Sequence, residues 1–140
     1  MRISIFLVLL ALLLSNCIRT VDVTPIPCNQ FDDCKETIQK ILLKQSPVPS
    51  DVTVTDETFA WSYDTYDYDE WTGNTTSRRL FKFFYEDIYD MRVVHDNSGR
   101  FEIRFKSKTS KDTYMIFLYD KQHAIQGYSA INCMIESSNK

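Results

Sequence analysis

Phe31, Cys34, Ile38, Ile41 and Leu42 recur three or four positions apart, the spacing of one face of a helix over about residues 32–45. Asp32 and Asp33 suit the positive N-terminal end of such a helix, Lys40 and Lys44 its C-terminal end, and Pro47 and Pro49 stop it. The apolar stripe covers one face only, so this helix must lie on another element. Val52, Val54, Phe59, Trp61 and Tyr63 then alternate with polar neighbours, with a change of parity across 55–58. One strand or a broken pair over 52–66, interrupted by a bulge or tight turn, accounts for the pattern. An acidic loop, 64–70, follows and ends near Gly73 and Asn74.

Residues 75–90 carry two patterns at once. Leu80, Phe83, Phe84 and Ile88 make a helical stripe with Thr76 or Ser77 as N-cap, while Phe81, Phe83 and Tyr85 alternate as in a strand. The lack of β-branched residues over 78–87 selects the helix. Beyond it, 91–95, 101–106 and 113–119 read as strands, the middle one alternating Phe101, Ile103 and Phe105 with Glu102, Arg104 and Lys106. Asp96-Asn97-Ser98-Gly99 supplies the first turn between them. Ile125, Gly127, Ser129, Ile131, Cys133 and Ile135 share one face of a last strand. The expected architecture is α+β. A curved antiparallel sheet, with a C-terminal meander of about four long strands, packs against one N-terminal helix and a second short helix.

Ahead of these elements, Arg2, an apolar run from Ile3 to Leu14 and the small residues around Ser15-Asn16-Cys17 have the form of a secretory signal peptide over 1–17. The run falls short of the ~20 apolar residues of a membrane span. The expected organisation is a signal over 1–17, an extended leader over 18–30, one α+β domain over 31–136 and a tail over 137–140. The expected location is extracellular. Cys17 also stands where a lipoprotein signal would be acylated, although Asn16 replaces the small residue that signal needs.

The full chain has a net charge of −3, and removal of the leader takes one further positive charge, Arg2. A mildly acidic domain without a basic stripe excludes nucleic acid and anionic membrane as partners. Nine Phe, eight Tyr and two Trp against three Gly suit a sheet-rich core and disfavour disorder.

Outside the reducing cytosol at least one disulfide is expected. If the first helix points Cys34 at the sheet and the last strand carries Cys133 on its inner face, Cys34–Cys133 is the preferred pair, with Cys28–Cys34 as the alternative.

The order of elements, with the stretch VVHDNSGRFEIRFKSKTSKDTYMIFLYDKQHAIQGYSAINC at 93–133, resembles the nuclear transport factor 2-like domains found as small secreted nematode proteins. That resemblance implies helices packed into a cone of bent sheet. It departs in having one helix before the first strand where members carry two. No pocket motif of the isomerase members maps onto this chain, so it supplies no site residues. The cystatin fold is similar in order, but Gln122-His123-Ala124-Ile125-Gln126-Gly127 has the wrong spacing for the inhibitory hairpin of that family.

Candidate chemistry is sparse. Asn74-Thr75-Thr76 is a glycosylation sequon in a polar segment. Asp64, Asp67, Asp69 and Glu70, interleaved with Tyr63, Tyr66 and Tyr68, are weak calcium candidates without the glycine of an EF-hand loop, or mark sulfation of Tyr66 or Tyr68. The bland reading is a solvated acidic loop. His95 and His123 stand beside turns with no neighbouring nucleophile, and no phosphate loop or serine elbow is present. No cofactor is expected. Trp61, Tyr63 and Phe105 are core residues or the lining of an apolar pocket in the concave face of the sheet. These features point to a secreted binding module for a protein or a small apolar ligand. A pocket enzyme using carboxylate and tyrosine groups, or a protease inhibitor, is the alternative.

Overall fold

The computed structural model describes residues 18–30, 33–69 and 73–140, with the side chains of 67–69 and 73–75 left aside. The signal-like stretch 1–17, Cys17 included, lies outside the described residues. A short strand β1 (Arg19–Thr20) and a 3-10 turn (Cys28–Gln30) precede helix α1 (Cys34–Leu43). Strands β2 (Asp51–Val54), β3 (Thr58–Asp69), β4 (Gly73–Phe84), β5 (Ile88–His95), β6 (Phe101–Ser107) and β7 (Ser110–Leu118) follow, and helix α2 (Lys121–Ser138) comes last. The strands form a four-stranded antiparallel sheet in the order β1-β5-β6-β7 and a three-stranded one in the order β2-β3-β4. The class is α+β, with helices packed on open antiparallel sheets.

Local chemistry starts each element. The Asp33 carboxylate caps α1 by accepting from the backbone N–H of Lys35 (2.8 Å) and Glu36 (3.2 Å). The parity change between Val54 and Phe59 is a tight turn. Thr55 Oγ1 accepts from the N–H groups of Glu57 (3.3 Å) and Thr58 (3.0 Å), which reverses the chain from β2 into β3. Asp96 organises the β5–β6 turn by accepting from the N–H groups of Ser98 and Arg100, with Gly99 at φ +83°.

Three expectations are corrected. Residues 75–90 are not a helix: β4 runs to Phe84 and pairs along its length with β3, Phe59 opposite Phe83 and Trp61 opposite Phe81. Pairing with an aromatic strand outweighs the weak β propensity of the segment, because cross-strand contacts and burial set strand preference. The 125–135 segment is not a strand but the middle of α2, so the C-terminal meander contains β5, β6 and β7 and then ends in a helix. Ala124, Gly127, Ala130, Ile131 and Cys133 are buried at helical spacing, and the Asp120 carboxylate caps the helix through the His123 N–H at 2.8 Å.

The third correction follows from the second. With 133 on a helix, Cys133 meets Cys28 of the 3-10 turn, and the disulfide is Cys28–Cys133, with Cα atoms 5.4 Å apart. Neither Cys34–Cys133 nor Cys28–Cys34 forms. Cys34 is a free, half-buried thiol in the first turn of α1, pushed up in pKa by burial and then by the Asp33 charge.

The core is aromatic. Phe59 is fully buried, with ring centroids 5.5 Å from Tyr85, 5.6 Å from Phe83 and 5.8 Å from Phe105. Ile38, Ile41 and Leu42 of α1, Ala124, Ala130 and Ile131 of α2, and Val93, Ile103, Ile116 and Leu118 of the four-stranded sheet pack into the same cluster.

Candidate functional site

Strand β7 forms one edge of its sheet. Beside that edge lies a groove of about 460 Å³, within the usual range of ligand pockets. Trp61 and Tyr63 of β3 and Arg79 and Phe81 of β4 line it from the three-stranded sheet, while Thr113, Tyr114, Met115 and Phe117 line it from β7. Pro47 and Asp112 are also part of its lining.

Strand periodicity explains the composition. Trp61 and Tyr63 are two apart, as are Arg79 and Phe81, so each pair presents to the same face of the hairpin. Trp61 stacks on Phe81 with centroids 5.4 Å apart and an interplanar angle of 19°, and Tyr63 meets Phe81 edge-on at 6.2 Å. The Arg79 guanidinium lies over the Phe81 ring at 5.1 Å, and that of Arg100 over Phe117 at 5.0 Å. Burial pushes the Tyr63 hydroxyl up in pKa, a shift that a hydrogen bond with Trp61 opposes. Tyr63 therefore stays a neutral phenol at physiological pH. The groove is an aromatic wall with one cationic group, Arg79, and one carboxylate, Asp112, in its lining.

Of the pocket residues expected from sequence, Trp61 and Tyr63 belong to this groove. Phe105 does not: it is fully buried behind it, 4.9 Å from Phe83 and 5.9 Å from Tyr114 between ring centroids. Phe81, Tyr114, Phe117 and Arg79 escaped the sequence reading. The alternation of Phe81 with Phe83 was the available signal, and the helical reading of 75–90 hid it.

The acidic segment is strand rather than loop through Asp69. Asp64 pairs with Arg78, its cross-strand neighbour, at 2.9 Å, and the Arg78 hydrogen bond holds its carboxyl below the usual range. The side chains of Asp67, Asp69 and Asn74 lie outside the described residues, as does Glu70. The backbone places Asn74 opposite Tyr68 near the end of the β3–β4 hairpin. Among the described residues no group of three His, Cys, Asp or Glu side chains is placed to hold a metal ion.

His95 stacks on Phe101 with centroids 4.5 Å apart. His123 sits in the first turn of α2, where its Nε2 is 2.8 Å from Lys44 Nζ and so acts as acceptor. Neither histidine meets Cys34 or the groove. A second cleft of about 440 Å³ lies beside His123, Lys44 and Lys40, between the two helices. Among the described residues no helix is long and apolar enough to cross a membrane.

No family model matches this chain, and no curated protein or solved structure matches it either. These comparisons assign it neither to the nuclear transport factor 2-like nor to the cystatin-like domains.

Proposed function

We propose that this chain is a secreted binding domain that takes its ligand in the aromatic groove beside β7. One observation carries the reading: Trp61, Tyr63 and Phe81 from one sheet, and Tyr114 and Phe117 from the other, line a single groove. Aromatic faces bind flat and apolar groups with little loss of side-chain entropy, while a few polar groups at the margin set orientation. Arg79 and Asp112 are placed for that second task. Export is supported by the signal-like pattern of residues 1–17 and by the Cys28–Cys133 disulfide, a bond that persists in oxidising compartments.

Titration with an anilinonaphthalene sulfonate dye tests the proposal. One saturable site is expected on the folded protein, weakened about tenfold or more by Tyr63→Ala and by Arg79→Glu, with unchanged far-ultraviolet circular dichroism. Dye binding that ignores both substitutions overturns the reading.

A further inference from the structure

The edge of β7 is partly occupied by the chain itself. Ser46 N–H donates to Phe117 C=O at 3.0 Å, a backbone bond on the side of β7 away from β6. In an antiparallel ladder the N–H and C=O of alternate residues point away from the partner strand. The β6–β7 register is regular from Phe101–Leu118 to Lys106–Thr113. Met115 and Thr113, two and four residues before Phe117, therefore also aim their backbone groups outward. Pro47, directly after Ser46, has no N–H to continue the pairing. Among the described residues no backbone partner reaches the outward groups of Met115 or Thr113.

Those two residues line the aromatic groove. We infer that the groove takes an extended segment of a partner polypeptide. It adds to β7 as a strand, continues the contact that Ser46 begins, and lays alternate apolar side chains on Tyr63 and Phe81, behind which Trp61 is buried. Unpaired strand edges are templates for such addition, with main-chain bonds supplying affinity and side-chain pockets supplying selectivity. Charge specifies the segment further. The Arg79 guanidinium rests on Phe81 and, although Asp112 lines the same groove, forms no ion pair among the described residues. A carboxylate set against Arg79 and away from Asp112 is its complement, so the occupant is an extended segment that alternates apolar residues and carries one Asp or Glu at that place.

This inference rests on the groove being the binding site, and the experiment separates the two. A random twelve-residue display library is panned against the full folded protein, and enriched peptides are synthesised with and without N-methylation of alternate amides. The expected result is enrichment of acidic, apolar-alternating peptides. N-methylation on the bonding side should weaken them about tenfold or more, and the amide protons of Thr113 and Met115 should gain exchange protection on binding. No enrichment, or peptides indifferent to N-methylation on either side, overturns strand addition. Naphthalene sulfonate binding at the groove in that case leaves the groove standing as a small-molecule site. Loss of dye and peptide binding together removes both readings.

Discussion

Gly127 of α2 lies so close to Ile41 of α1 that a Cβ at position 127 would come within 2.7 Å of Ile41 Cγ2, and within 2.8 Å of Ile103 Cδ1 on β6. The two helices and the sheet meet at this point, and the absent side chain permits the approach. Alanine at 127 gains about 1 kcal/mol of helix propensity but overpacks a region where added methyl groups cost about 1–3 kcal/mol. Gly127→Ala is therefore expected to lower stability in urea unfolding. The loss should shrink in an Ile41→Ala background, where the Cγ2 atom is gone. An equal loss in both backgrounds would show that the two residues do not meet.

The Cys28–Cys133 bond ties the segment before α1 to the C-terminal half of α2 across 105 residues. Peptide mapping without reduction should find this cross-link and an alkylatable Cys34. Cys28→Ser should cost about 2–5 kcal/mol, and Cys34→Ser should leave the bond intact. A mapped Cys34–Cys133 peptide would contradict the placement of α2.

Tyr85 is fully buried, and its hydroxyl has no partner among the described residues. Burial also pushes its pKa well up, so the phenol stays neutral. An unpaired buried hydroxyl carries a desolvation cost of about 1–3 kcal/mol. Tyr85→Phe removes that cost while keeping the ring against Phe59, and the melting temperature is expected to rise. A fall would indicate a bonded hydroxyl.

Acid should loosen the β5–β6 turn. Asp96 is held well below the usual carboxylate range, first by the Ser98 hydroxyl and also by hydrogen bonds from Arg100. A depressed folded-state pKa contributes stability above the unfolded value of about 4, and that stability is lost as pH falls through the folded value. Asp64 and Asp90 shift in the same direction through Arg78 and Lys106. Wild-type stability should drop on acidification below about pH 4, and more steeply than that of Asp96→Asn. Parallel profiles would remove Asp96 from the account.

Elements whose patterns are local were legible from residues alone. The Asp33 cap, the stripe of Ile38, Ile41 and Leu42, and the proline stop define α1. The parity change at Thr55 marked a turn, and Phe101, Ile103 and Phe105 marked β6. Two long segments were misread because their patterns satisfy both periods. Leu80, Phe83, Phe84 and Ile88 fit one template and Phe81, Phe83 and Tyr85 the other, and Ile131, Cys133 and Ile135 alternate although they belong to a helix. Asp120, three residues before His123, was the cap signal that favoured the helix. Of the groove's lining only Trp61 and Tyr63 were legible as pocket candidates, while the rest waited on the strand assignment of Phe81 and on where β7 lies.

Composition, leader pattern and local periodicity determined by themselves an aromatic, sheet-rich α+β chain with a helix near its start. Each depends on residues a few positions apart. Only tertiary structure decided which cysteine meets Cys133, why a side chain at position 127 would crowd Ile41 and Ile103, and that the β7 edge faces Trp61 and Phe81. Those outcomes depend on groups far apart in the chain, and burial against a distant partner outweighs the weak local preference of either segment.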